Sequence, residues 1–297
     1  MRKILILLLV CLLVALPLSN VTLSKPAKPL VVVWAQGLLK PDKQLKWMMG
    51  NITEVDWKVI TKEEGLTLDD LKGAKMLIYV QVDIAAKVSK GDLEVIKRWF
   101  EEGGKTVWVT GESDYKGDCK RIPNTNAILK AVGSVLRNDH AEAVDRESNC
   151  KKSYRVAALI HPEPELSFLA LNVSKPVLFH GPGVVALEIN GTWKPLYAKG
   201  SKPVANVYRI AVTSEKGAIA EFVAPLPHAY EPGEEGAFTL MAAELMPKGN
   251  IVILSVEAPF DHYHGMWETS YHGVSLDGPQ FVKNVVLWGV GILGKSG

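Results

Sequence analysis

Residues 89–115, SKGDLEVIKRWFEEGGKTVWVTGESDY, leave this chain few folds to choose from. Ser89 and Asp92 make a capping pair at a helix start, Leu93, Ile96, Trp99 and Phe100 recur at helical spacing, and Gly103-Gly104 ends the helix. Thr106 to Thr110 then reads as a strand, and the fully apolar run MLIYV at 76–80 stands ahead of the helix. Strand, helix, glycine stop and strand at this spacing predict a right-handed βαβ crossover, and so a parallel sheet.

The flanking segments extend that pattern. LVVVW at 30–34 predicts a buried strand, 42–49 a helix, 55–60 a strand, and Thr67 with Asp70 another capped start. A short helix begins at Asn124 or Thr125, with Ala127, Ile128, Leu129 and Val132 as its buried side. From about 154 to 224 the pattern becomes short β-like runs broken by Pro and Gly, with Asn190-Gly191 as a hairpin signal. Core character returns at 238–245 and 251–256. A last helix follows, with Asp277 as its N-cap, Pro279 in its first turn and Phe281, Val282, Val285, Val286 and Trp288 as its apolar face.

At 297 residues the chain is long for one small domain. The expected division is a signal peptide or N-terminal anchor at 1–24, the first part of an α/β core at 25–150, a β-rich insertion at 151–236, and the last core strands with the C-terminal helix at 237–297. The first segment, MRKILILLLVCLLVALPLSN, has a positive start and an apolar run of secretory length, shorter than a spanning helix needs. It predicts an extracytoplasmic protein, secreted or tethered to the membrane by its N-terminus. Without residues 1–24 the chain carries 32 basic and 32 acidic side chains, which gives no electrostatic case for nucleic acid.

Outside that segment stand two cysteines, Cys119 and Cys150. In an exported chain such a pair predicts a disulfide, contributing roughly 3–4 kcal/mol through loop closure. Three sequons, at Asn51, Asn172 and Asn190, fit the same compartment.

The most chemistry-rich stretch is APFDHYHGMWETSYHGVSLDGPQF, residues 258–281, which holds His262, His264 and His272 with Asp261 and Glu268 between them. A metal site would use His262 and His264 with Asp261, Glu268 or His272, but no fixed helical ligand spacing is present, so no metal is expected. The bland alternative is a polar loop over the sheet edge whose Tyr263, Trp267 and Tyr271 pack or touch a ligand.

Taken together, LKGAKMLIYV, WFEEGGKTVWVTGES, TNAILKAVG and the run from GNIVILSVEAPF to DGPQFVKNVVLWG resemble the class I glutamine amidotransferase-like superfamily. The resemblance is to its non-amidotransferase branches, of exported prokaryotic and intraflagellar-transport type, and covers about two thirds of the chain. It implies an α/β fold of flavodoxin-like type, a three-layer parallel sheet, here with a β-rich insertion. In the superfamily's amidotransferases a cysteine stands on a Gly-x-Cys-x-Gly elbow. The corresponding run here is Gly111-Glu112-Ser113-Asp114-Tyr115, with Ser113 in the nucleophile slot and Tyr115 where the second glycine would be. The superfamily's His-Pro-Glu appears as His161-Pro162-Glu163, but before the β-rich stretch instead of after the last core strand. The topologically matching position holds Asp261, His262 and His264.

The resemblance therefore implies a non-catalytic binding or interaction module with an unknown protein or carbohydrate partner and no cofactor. The alternative is a hydrolase using Ser113 with His262 or His264, because a serine hydroxyl needs a positioned base to act as a nucleophile. The residues expected to face a ligand are Glu112, Asp114, Tyr115, Asp261, Tyr263 and Trp267.

Overall fold

A computed structural model describes residues 27–38, 40–61, 65–113, 115–196, 204–221, 227–260 and 264–294. The N-terminal segment, Asp114, Asp261, His262 and Tyr263 lie outside these described residues.

The first half follows the alternation read from the sequence. Its elements are β1 (Leu30–Gln36), α1 (Lys43–Asn51), β2 (Asp56–Ile60), β3 (Ala74–Gln81), α2 (Lys90–Glu101), β4 (Thr106–Thr110) and α3 (Ile122–Ala131). Asp42 caps α1 by accepting from Leu45 N at 2.7 Å, and the Ser89–Asp92 capping box opens α2. Thr67 and Asp70 do form a capping box, yet it starts only one 3-10 turn. Helix α3 begins two residues before the expected start at Asn124, because Pro123 is pre-organised for a first turn.

The second half contributes β5 (Leu136–Asn138), β6 (Glu142–Asp145), β7 (Arg155–Ile160), β8 (Val177–His180), β9 (Val185–Ile189), β10 (Thr192–Pro195), β11 (Val207–Val212) and β12 (Gly217–Glu221). It then adds β13 (Thr239–Met246), β14 (Asn250–Ser255), the small hairpin β15 (Ser270–Tyr271) and β16 (Val274–Ser275), and α4 (Gly278–Gly289).

Nine strands make one sheet in the order β2-β1-β3-β4-β14-β13-β11-β7-β8. The pairs from β2 to β14 are parallel, and those from β14 to β8 are antiparallel. The parallel part has the flavodoxin-like order. The expected wholly parallel sheet is thus corrected to a mixed one. Nor is the β-rich stretch a separate body: β7, β8 and β11 join the main sheet, while β10-β9-β5 and β12-β6 form small satellite sheets.

Side-chain alternation sorts the helices into layers. Met76 and Thr106 are register partners, and both meet Gly289 of α4, whose carbonyl accepts from the Thr106 hydroxyl at 2.6 Å. Gln81, of opposite parity on β3, accepts from Asn124 of α3 at 2.8 Å. Helices α2 and α3 pack on each other, and α4 reaches toward α1 through the Lys283–Glu54 pair at 2.6 Å. Two layers of helix therefore cover a sheet whose inner parallel strands β1, β3 and β4 are buried on both faces.

Asp277 does not cap α4. Its carboxylate instead accepts from Ser174 N (2.7 Å) and Lys175 N (2.8 Å), tying the loop before β8 to the start of the helix. Burial opposes its ionised form, but these donors and Lys175 hold its pKa below the usual value.

Cys119 and Cys150 do not bond to each other. The Cys119 thiol donates to Lys116 O (2.9 Å) in the loop after β4, whereas Cys150 is buried with Ala157, Leu178 and Leu276 near β7 and β8. Burial raises the Cys150 thiol pKa. The two residues serve separate local packing needs, which sequence separation alone does not reveal.

Among the described residues no helix is long and apolar enough to cross a membrane.

Candidate functional site

The elbow after β4 is fixed by one buried amide. Gly111 N donates to Ser255 O of β14 (2.6 Å), Glu112 N donates to Asn138 Oδ1 (2.7 Å), and Asn138 Nδ2 donates back to Glu112 O (2.9 Å). That embrace needs glycine on both sides. A Cβ on Gly111 would lie 2.0 Å from Asn138 Oδ1, and one on Gly183 would lie 2.4 Å from Glu112 O.

Ser113 is 1% exposed, and its hydroxyl accepts from Tyr115 N at 3.3 Å, closing a short turn. Its own N–H donates to Glu112 Oε1 at 3.3 Å. The side chain that would be the nucleophile is folded into its own loop, and among the described residues no imidazole is hydrogen-bonded to it. Tyr115 by contrast is 41% exposed, with Lys116 Nζ 4.7 Å from its ring centre.

The elbow forms one wall of a cavity of about 610 Å3 at the carboxyl ends of β4 and β14. Ligand sites of open α/β sheets lie at such ends. Arg121, just ahead of α3, braces the wall: Nε donates to Gln81 O (2.9 Å), Nη2 to Val82 O (3.2 Å) and Nη1 to Asp118 Oδ1 (2.5 Å), with Glu112 Oε2 4.0 Å away.

The opposite wall comes from elements that the sequence did not single out. His180 ends β8, and its backbone N–H donates to Glu257 Oε2 at 2.6 Å. Glu257, 3% exposed, also accepts from Ala258 N (2.8 Å), so this carboxylate clamps the tip of β8 to the end of β14. Glu142 of β6 and Tyr154 complete that side. Aromatic rings line its rim: Tyr154 stands 5.7 Å from His180, His180 5.8 Å from Tyr271, and Tyr271 4.5 Å from His264, between ring centres. The Arg155 guanidinium lies over both Tyr154 (5.2 Å) and Tyr271 (5.6 Å).

His264 reaches the cavity, and its Nδ1 lies 3.2 Å from Glu268 Oε1. Gln44 of α1 anchors this loop by donating to Trp267 O (3.0 Å) and Glu268 Oε1 (3.2 Å). His272 sits at the turn of the small hairpin with φ of 45°, its ring 4.3 Å from that of Tyr271.

The structure brings Glu112, Ser113, Tyr115 and His264 to the lining of one cavity. Trp267 is not among the lining residues: it is 1% exposed and its ring stands 6.3 Å from that of Trp47, on the side of α1. The expected ligands Asp114, Asp261 and Tyr263, and the catalytic candidate His262, fall outside the described residues. Among the described residues no cluster of His, Cys, Asp and Glu has the makings of a metal site. His161-Pro162-Glu163 is elsewhere, at the end of β7, where Glu163 Oε1 accepts from Arg209 Nε (3.0 Å) and Nη2 (2.7 Å) in a buried ion pair.

Glu257 carried a legible signal, a polar residue just after the apolar run ILSV at the end of β14, a strand parallel to β4, and that end of a parallel strand faces ligands; His180 ends the antiparallel β8, and only the folded sheet brings it there. Glu142 and Tyr154 carried none, since their place depends on how the satellite strands fold back.

Residues 30–160 match the family model of the IFT52 GIFT domain. The match supports the resemblance to the glutamine amidotransferase-like superfamily. No curated protein matches the chain. Among solved structures, a ThuA-like protein of Bacteroides uniformis is similar over 90% of this chain and 94% of its own, at 12% identity and a TM-score of 0.44. A GMP synthase protein of Thermoplasma acidophilum is similar over 89% and 94%, at 8% identity and a TM-score of 0.36.

Proposed function

We propose that this protein is a non-catalytic interaction module on an amidotransferase-like fold, and that it binds its partner through the cavity at the carboxyl ends of β4 and β14. The observation that carries this reading is the state of Ser113. A nucleophile must be exposed and paired with a base, whereas this hydroxyl is 1% exposed, accepts from Tyr115 N and is bonded to no imidazole among the described residues. The match to the IFT52 GIFT domain model supports the same reading.

The cavity has the character of a recognition surface. Carboxylates at its floor are held by backbone N–H groups and Arg121, and the partly exposed rings of Tyr115 and Tyr154 stand at the mouth. Exposed aromatics beside fixed polar groups suit a protein or carbohydrate surface. The finer reading is that the module works outside the cytoplasm, delivered or tethered by residues 1–24; its support is the charge and apolar pattern of that segment.

A fluorophosphonate probe, which reacts with activated serines, tests the reading. No labelling of folded protein is expected. Labelling at Ser113, lost on Ser113→Ala, would establish the hydrolase instead. Export is tested by the N-terminal residue and the fractionation of the protein taken from its own cells; a soluble internal protein retaining Met1 would sink the finer reading.

A further inference from the structure

Ten asparagines lie among the described residues, and four of them, Asn51, Asn172, Asn190 and Asn206, are exposed. Three of these four open an Asn-x-Ser/Thr triplet whose hydroxyl residue, Thr53, Ser174 or Thr192, is exposed as well; none of the six less accessible asparagines opens one. A further triplet, Asn20-Val21-Thr22, lies outside the described residues. Such triplets are the acceptors of N-linked glycans, which are bulky and need an amide that stands clear of the fold.

The fold distinguishes the three sites. At Asn51, the last residue of α1, Nδ2 donates to Trp47 O at 2.8 Å, so the amide that would take the sugar is turned back onto its own helix. At Asn172 the hydroxyl is taken instead: Ser174 Oγ donates to Asp277 Oδ2 at 3.1 Å, and Ser174 N donates to the same oxygen at 2.7 Å. At Asn190 both parts of the motif are open. Asn190 and Gly191 form the two-residue turn between β9 and β10, at φ of 53° and 78°, the left-handed pair that a tight hairpin requires. A Cβ on Gly191 would meet no atom within 4 Å. Among the described residues, neither the Asn190 amide nor the Thr192 hydroxyl bonds to another group.

The turn also projects away from the first cavity. Val185, at the other end of β9, pairs with Asn138, the residue that holds the elbow. Asn190 lies five residues further along, about 17 Å at strand spacing, so a glycan there extends from the far edge of the satellite sheet and leaves the cavity open. Strand β10 is the edge of that sheet, with β9 as its one neighbour among the described strands, and Trp193 on it is half-buried. An exposed edge invites pairing with another chain, and a glycan beside its start blocks that approach.

We propose that Asn190 carries an N-linked glycan in the exported protein. Asn190 Nδ2 forms a bond to the anomeric carbon of a lipid-linked glycosyl phosphate as the bond from that carbon to the phosphate oxygen breaks. The phosphate leaves with the bonding electrons, and one amide proton passes to a base of the transferase. The inference rests on the reading that residues 1–24 take the chain out of the cytoplasm, and it is independent of what the cavity binds.

The test uses the full chain purified from its own cells and digested for mass spectrometry, with its N-terminal residue and its fractionation determined on the same preparation. The peptide containing Asn190 is expected to carry a sugar mass increment, at higher occupancy than the peptides of Asn51 and Asn172. Asn190→Asp, a residue that tolerates the left-handed turn, loses the increment completely. Thr192→Ala, which leaves the asparagine in place, loses it too. An exported protein whose Asn190 is unmodified overturns the proposal and leaves export standing, whereas an unmodified Asn190 in a protein that retains Met1 inside the cell overturns both. A sugar that persists on Asn190 in Thr192→Ala, or one held mainly by Asn51 or Asn172, overturns the proposal as well.

Discussion

The two halves of the main sheet are held by different means. Strands β1, β3, β4 and β14 are nearly continuous apolar runs, buried on both faces, while β2 at the edge is partly exposed. From β13 to β8, and in the satellite sheets beside them, buried carboxylates recur and each accepts from several donors. Asp145, fully buried, takes Glu147 N (2.9 Å), Ser148 N (2.8 Å) and Ser214 N (2.6 Å). Glu244 of β13 takes Ser134 Oγ (2.6 Å) and Val135 N (2.9 Å). Asp139 takes Ala229 N (3.0 Å) and Tyr230 N (3.1 Å). Parallel strands receive their neighbours through helical crossovers, whereas these antiparallel strands are joined by irregular loops whose backbone N–H groups need acceptors once buried. The cavity sits on the seam between the two kinds of construction, with Glu112 contributed by one side and His180 by the other.

The largest expected effect tests the second half directly. Arg209→Ala strands the Glu163 carboxylate beneath β11 and is expected to cost about 3–5 kcal/mol, read as a shift of the urea midpoint. A loss below about 1 kcal/mol would mean that this half does not rest on its buried pairs.

Next is the seam. Gly111→Ala forces a methyl into Asn138 Oδ1 and is expected to cost about 2–3 kcal/mol. Asn138→Ala, which leaves Glu112 N without its acceptor, is expected to cost a similar amount, about 1–3 kcal/mol. Because both act on one contact, the double variant loses clearly less than the sum; strict additivity would show that the embrace is not the coupling.

A pH effect separates the halves through one buried carboxylate. Burial raises the Asp139 pKa from 3.8 to about 7, despite the N–H groups of Ala229 and Tyr230 that favour its charged form. The folded state therefore holds this proton more tightly than the unfolded chain. Between about pH 4 and pH 7 the Asp139 contribution to stability falls as pH rises, and above that window it is constant. Asp139→Asn is expected to have a lower baseline but to lose this part of the decline when Tm is followed against pH. An identical slope in both proteins would assign the decline to other groups.

The smallest effect concerns Ser113. Losing its bond to Tyr115 N should cost Ser113→Ala about 1 kcal/mol or less, with the aromatic rim of the cavity undisturbed. A collapse of the elbow, seen as loss of near-ultraviolet aromatic signal, would show that the hydroxyl organises more of the site than its own turn.

Legibility differed between the halves for the same reason. In the first, Asp42, Ser89 with Asp92, and Gly103-Gly104 punctuated runs long enough to read, and each cap is in place. In the second, the strands at 177–180, 185–189 and 207–212 were visible as β-like, but not which sheet each joins. The short β5 and β6, with Asn138 and Glu142, gave no periodic signal at all. Glu112, Ser113, Tyr115 and His264 could be placed at one edge of the sheet from sequence because they follow core strands, and they line the cavity there. Tyr154 gave no such sign because it precedes its strand, and Trp267 shows that an aromatic in a polar loop reads alike whether it turns outward or, as here, inward beside Trp47.

The sequence by itself determined the parallel core, since apolar runs of strand length alternating with capped amphipathic helices have one economical arrangement: a sheet covered on both faces. Tertiary structure alone decided the rest. It set Asn138 against Gly111 and turned the Ser113 hydroxyl inward, and it gave Asp277 to a distant loop in place of its own helix. These outcomes depend on which buried N–H lacks an acceptor after the chain has closed on itself, a demand that arises between segments and is written in none of them singly.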